Sequence, residues 1–251
     1  MEQKDMTVYE HITELRKRLV YVVVFFLFAT VGGFFLSEPL IKFLQHADEA
    51  KHLTMNAFNL TDPVKIYLQV TFIIGAVITS PFALYQFWAF ISPGLYEKER
   101  KVTLSYIPLS VFLFLIGISF SYFILFPFVV QFMTNVANNL NIEQTIGINE
   151  YFQFLFQITL PFGILFQLPV VVMFLTRLGI ITPMLLRSIR KYAYFVLLVI
   201  AAFITPPELL SHLMVTVPLL ILYEISIWIS SLSYRKVLRA ETEALNQPQN
   251  E

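Results

Sequence analysis

Phe87–Lys101 reads FWAFISPGLYEKERK. Aromatic residues lead in, Ser92-Pro93-Gly94 interrupts any helix, and Glu97, Lys98, Glu99, Arg100 and Lys101 follow. Proline fixes one backbone angle and glycine tolerates a tight turn, so a loop of this kind is short and stiff. Long apolar runs flank it on both sides. If those runs cross a membrane, Phe87–Lys101 is a charged platform at one water boundary.

Composition supports the condition. The chain has 251 residues, 57% hydrophobic and 14% charged, with mean hydropathy +0.70. A soluble domain carries roughly 25% charged residues, so this chain lacks the polar surface to face water all round. Its length accommodates about six spans of roughly 20 residues each, with connecting loops. A formal net charge of zero argues against nucleic acid as a partner. With no cysteine there is no disulfide, thiolate nucleophile or Cys-ligated metal. The first apolar run follows a mixed-charge segment without a small-residue cleavage motif, so it reads as a retained span rather than a signal peptide.

Working outward, residues 1–19 form an amphipathic segment, with Val8, Ile12, Leu15 and Leu19 on one helical face; it is expected to lie along the membrane surface. Val20–Leu36 is the first span, stopped at Ser37-Glu38-Pro39. The second runs from about Ile66 to Trp88 and the third from about Tyr106 to Phe128, with residues 129–150 as an Asn-rich loop. The fourth, about Tyr151–Leu175, contains Pro161 and Phe166-Gln167-Leu168-Pro169. Arg177–Lys191 is a basic loop in which Thr182-Pro183 marks a helix start. Tyr192–Ile204 and Leu213–Ser230 are the last two apolar runs, separated by Thr205-Pro206-Pro207-Glu208. Residues 20–232 thus make a six-helix transmembrane domain and residues 233–251 a polar tail. Alternating strand patterns are absent, so the fold is all-α.

The lysines and arginines set an orientation. Of the 17, only Lys42, Lys51 and Lys65 fall on the side opposite the N-terminus, the Phe87–Lys101 loop, the Arg177–Lys191 loop and the tail. Positive charge concentrates on the cytoplasmic side, so both termini are expected there. The fifth run raises a second question. Thirteen residues rise roughly 20 Å, short of a hydrocarbon core of about 30 Å. Either the bilayer is locally thinned or the last two runs form a re-entrant hairpin. Thinning is preferred, because Pro-Pro-Glu at mid-depth would need burial in protein.

Two groups of polar residues could carry function. Glu14 beside Arg16, Lys17 and Arg18, and Glu97 and Glu99 beside Lys98, Arg100 and Lys101, are either self-neutralising surface or a carboxylate patch for a paired guanidinium motif, since Arg–carboxylate contacts are bidentate and directional. Within the spans, Gln167 serves either as an interhelical hydrogen-bonding group or as the lining of a polar concavity. Glu224 must be neutral, paired or facing water. His11, His46, His52 and His212 show no metalloprotease spacing, and no nucleophile or phosphate-binding motif occurs. No enzyme, metal site or cofactor is expected.

Five motifs come in one order: HITELRKRL at the N-terminus, FWAFISPGLYEKERK, SYFILFPF in the third span, FQLP in the fourth and ITPPE before the sixth. Together they resemble the TatC family, the polytopic subunit of the twin-arginine protein translocase, nearly end to end and in a bacterial form. The resemblance implies a receptor for twin-arginine signal peptides. It also implies the core of a proton-motive-force-driven complex, built with single-span TatA/TatB-type subunits and through self-association within membrane lipid, that exports folded proteins. It implies six helices in a cup or glove, the last two short. Carried over position by position, Glu14 and Glu99 would bind the arginine pair. Phe90, Leu95 and Tyr96 would surround them, and Arg16 would assist. Pro39, Tyr122 and Glu208 match further positions implicated in function. Where many members have a glutamate in the fourth span, this chain has Gln167, which removes ionisation there and leaves hydrogen bonding to a partner helix. The competing class is a small-solute secondary transporter, which would want several intramembrane ionisable groups; Glu224 stands alone. A structural scaffold is a third.

Overall fold

The structure, a computed structural model, describes residues 8–46, 55–91, 106–205 and 209–245. Helix α1 is Val8–Gln45 and α2 is Asp62–Ile91. Next comes α3, Tyr106–Phe120, followed by a π-helical turn at Ser121–Leu125 and α4, Phe126–Asn139. The fourth apolar run forms α5, Ile148–Leu165, and α6, Leu168–Arg177. A short α7, Pro183–Ser188, precedes α8, Arg190–Ile204, and α9, Leu209–Leu245. Strands β1, Met55–Asn56, and β2, Ile146–Gly147, make one two-residue parallel pairing. Five stretches among the described residues are long and apolar enough to cross a membrane.

Several boundaries differ from the sequence reading. Residues 8–19 do not form a separate surface helix; they are the first turns of α1, which runs without a break into the apolar run. No glycine or proline lies between them and Val20, so nothing interrupts the backbone ladder. Ser37-Glu38-Pro39 does not stop the helix either. Pro39 removes one bond to the preceding turn, while Ser37 Oγ donates to Gly33 O at 2.7 Å and Glu38 pairs with Lys42 one turn on at 2.6 Å. Val129–Asn139, expected as loop, continues the third span as α4. The sixth apolar run is not a short helix, since it lies in the 37 residues of α9. The fifth is short: the 15 residues of α8 rise about 22 Å.

Proline accounts for the irregularities. Pro127 has no N–H to return to Phe123, and the turn before it widens into the π form. Pro169 likewise cannot bond back to Leu165, and the fourth span breaks at Phe166-Gln167. The span ends at Gly179, where φ is +71°. Ile180 N donates to Leu175 O and Gly179 N to Thr176 O, both at 3.1 Å, a Schellman closure that needs a residue without Cβ strain. Thr182 then caps α7 by accepting from Leu185 N at 3.2 Å, as its placement before Pro183 predicts.

The chain divides by internal contacts into two units, Met1–Val111 with Tyr122–Gln157, and Phe112–Ser121 with Ile158–Glu251. In the first, α1 and α2 pack antiparallel along their length. Ring contacts run in reverse order, from His11–Phe90 through Phe25–Phe82 to Phe34–Tyr67. The helices approach closely at Gly33 and Gly75. A Cβ on Gly75 would stand 2.5 Å from Thr30 Oγ1, and one on Gly33 2.9 Å from Thr71 O. Ser37 and Thr71 share a buried hydroxyl contact of 2.7 Å beside them. Small residues and hydroxyls are how helices associate where lipid competes for every apolar contact. In the second unit, α6 and α9 are joined by Thr176 Oγ1 and Ser230 Oγ at 2.7 Å, and Tyr223 Oη donates to Leu186 O of α7 at 2.9 Å.

Candidate functional site: a partly buried carboxylate at the start of the first helix

Glu14 sits in the fourth residue-pair register with Arg18, one turn further along α1. Arg18 Nε and Nη2 both donate to Glu14 Oε1, at 3.0 and 2.5 Å. The pair is largely sheltered, with Glu14 19% and Arg18 23% exposed in their side chains. The third Arg18 nitrogen, Nη1, donates across to Gln86 Oε1 of α2 at 3.2 Å. Glu14 Oε2 is buried and has no hydrogen-bond partner among the described residues. A groove of about 520 Å³ opens along α1 beside this carboxylate, lined by Tyr9, Thr13, Glu14, Lys17, Arg18 and Tyr21.

The antiparallel register explains the assembly. Glu14 and Arg18 lie four residues apart, so they meet on one face, and that face meets the C-terminal end of α2. Phe90, expected near the site, stacks on His11 with ring centroids 4.3 Å apart and brings α2 against the first turns of α1. Arg16 is exposed on α1. Leu95, Tyr96 and Glu99 lie outside the described residues, as does Glu208. Chemically, the site holds a guanidinium with two donors on one carboxylate oxygen and limited access to water, a charge-assisted contact in a sheltered setting.

The expected intramembrane polar residues have different partners. Gln167 occupies the break between α5 and α6, where Nε2 reaches Gly163 O at 3.5 Å and its own carbonyl accepts from Val170 N and Val171 N at 3.0 Å. Glu224 is paired: Arg190 Nη2 donates to Oε2 at 2.7 Å and Tyr194 Oη to Oε1 at 2.5 Å. A cavity of about 390 Å³ lies beside them, bounded by Tyr194, Leu220, Ile221, Glu224, Ile225 and Trp228. Tyr122 lies in the π-helical turn, edge-on to Phe123 at 4.9 Å, and Pro39 is exposed within α1.

Sequence reasoning missed Gln86, Arg190 and Tyr194 as partners. The spacing of Glu14 and Arg18 was a visible signal for their pair. Gln86 could be found only with the register of α1 against α2, and Arg190 falls in the stretch expected as a basic loop but opens the first turn of α8.

Comparison with known proteins converges on one family. A family model described as Sec-independent protein translocase protein (TatC) matches residues 10–218. The chain is 67% identical over 240 residues to Sec-independent protein translocase protein TatCy of Bacillus subtilis (strain 168), covering 96% of this chain and 94% of the relative. It is 63% identical over 241 residues to Sec-independent protein translocase protein TatC of Halalkalibacterium halodurans, covering 96% and 95%. A solved structure described as twin arginine translocase receptor TatC superposes with a TM-score of 0.80 at 32% identity, covering 89% of this chain and 99% of that one. Nothing in these matches supports a solute transporter.

Proposed function

The chain belongs to the TatC family of Sec-independent protein translocase components, multi-pass membrane proteins, and from that premise we propose that its Glu14 end receives the arginine pair of a signal peptide. One observation carries the reading: Glu14 is a sheltered carboxylate already engaging a guanidinium through two donors, at 2.5 and 3.0 Å, beside an open groove. A carboxylate so placed recognises the planar fork of arginine over the point charge of lysine. Glu99 would supply the second carboxylate, with Leu95, Tyr96 and Phe90 as apolar walls and Arg16 orienting the peptide. The charge distribution supports placing this end in the cytoplasm, within the cytoplasmic membrane of a bacterium. Gln167, at the break of the fourth span, and the Glu224 cavity are the places where single-span TatA/TatB-type subunits would meet the chain. Export of folded cargo would then draw on the proton-motive force.

Binding of a fluorescent twin-arginine peptide to the protein in nanodiscs tests the site. Glu14→Gln and Glu99→Gln are each expected to weaken binding at least about tenfold, the weight of one charge-assisted hydrogen-bonded contact. Replacing the peptide's arginines by lysines is expected to weaken it as well. Undiminished binding by the double variant would remove these residues from the site.

A further inference from the structure

Resting on the reading of Glu14 as the arginine receptor, we infer that Arg18 is a resident competitor for that carboxylate, that Gln86 receives Arg18 when a ligand arrives, and that this exchange tempers the affinity of the site for an arginine pair. Arg18 holds Glu14 through two donors on a single oxygen and holds Gln86 through one longer bond. Its guanidinium therefore already spans both helices. Glu14 Oε2 is buried without a partner among the described residues, so the carboxylate is half satisfied in a sheltered place, which is an unfavourable state for a charged oxygen. An incoming guanidinium is a fork that uses both carboxylate oxygens. It can complete Glu14 only if Arg18 gives up Oε1.

Arg18 has a place to go. Gln86 is buried on α2, and its side-chain oxygen is within hydrogen-bond distance of the same guanidinium. Being neutral, Gln86 accepts Arg18 without becoming a second strong anion for the ligand. The exchange sets a threshold. A ligand arginine replaces the two lost Arg18 bonds with two parallel ones and satisfies Oε2. A lysine ammonium is a point donor that can take the unpartnered Oε2 while Arg18 stays on Oε1, so it does not bear the cost of the exchange. Lys17 lies in the same groove with its Nζ 5.9 Å from the centroid of the Tyr21 ring. It contributes the same formal charge without an ion pair to Glu14.

The test compares matched peptides carrying Arg-Arg or Lys-Lys on the full chain in nanodiscs. Arg18→Gln is expected to bind Arg-Arg more tightly and Lys-Lys much less so, raising the Arg-Arg to Lys-Lys affinity ratio by about tenfold, or ~1.4 kcal/mol. Lys17→Gln removes an equal charge and leaves that ratio unchanged. Gln86→Leu weakens binding in the parent chain and has no further effect in the Arg18→Gln background. Arg18→Lys, which preserves charge and helix propensity, gives an intermediate ratio and serves if Arg18→Gln does not fold. An unchanged ratio in the Arg18 variants, or additive effects of Gln86→Leu and Arg18→Gln, overturns the exchange. Loss of binding in Glu14→Gln together with an unchanged Arg18 ratio rejects the exchange alone. Full binding in Glu14→Gln rejects the receptor reading itself.

Discussion

Glu224, Arg190 and Tyr194 show how a charged residue is kept within an apolar helix. Its two oxygens are separately engaged, by a guanidinium at 2.7 Å and a phenol at 2.5 Å. The ion pair is about two-fifths exposed on each side, so its coupling is moderate. A double-mutant cycle of Arg190→Met and Glu224→Gln, read by thermal unfolding in detergent, is expected to give a coupling of about 1 kcal/mol. Tyr194→Phe, which removes only the hydroxyl, is expected to lose a similar amount, about 1 kcal/mol. The need for a partner was legible in the position of Glu224. The partner was not, because a hydropathy profile ends the fifth span at Tyr192 and leaves Arg190 in the loop, while the helix begins at Arg190.

Between elements, the α1–α2 pair is held in one register by absent side chains. At Gly75 an added methyl would stand 2.5 Å from a neighbouring hydroxyl, whereas at Gly32 it meets nothing within 4 Å. Gly75→Val is therefore expected to lose about 1–3 kcal/mol by overpacking. It should also weaken peptide binding, since Glu14, Arg18 and Gln86 depend on the same register. Gly32→Ala is expected to be neutral or stabilising by up to about 1 kcal/mol, from helix propensity alone. Thermal unfolding and peptide titration of both variants check this contrast. The existence of the spans was readable from hydropathy, yet their ends were not. Hydropathy reports the solvent a residue prefers, and helices such as α1 and α9 carry on into polar sequence because nothing there breaks the backbone ladder. The interruption at Gln167 was signalled by Pro169 and read only as a polar feature.

For the whole molecule, the short α8 poses the main physical problem. Were α8 to cross the membrane, its rise of about 22 Å against a hydrocarbon core of about 30 Å would leave a mismatch that local thinning of the bilayer could absorb at modest cost. The chain has no cysteine, so a single introduced thiol is the sole reporter of its position. Cysteines at Leu60 and at Glu208 are expected to react with an impermeant thiol reagent added from outside the cell, and one at Tyr9 only after the membrane is opened. Failure of the Glu208 position, with Leu60 labelled, would favour a re-entrant hairpin instead.

Every contact described around Arg18 joins residues that precede position 92. The α1–α2 hairpin is thus fully synthesised before the third span begins, and its glycine-set register can be chosen while the rest of the chain is still on the ribosome. The Glu14–Arg18–Gln86 cluster proposed for recognition is, in that sense, an early product of membrane insertion, and mutations that delay pairing of the first two spans would leave later helices to insert beside an unfinished cluster.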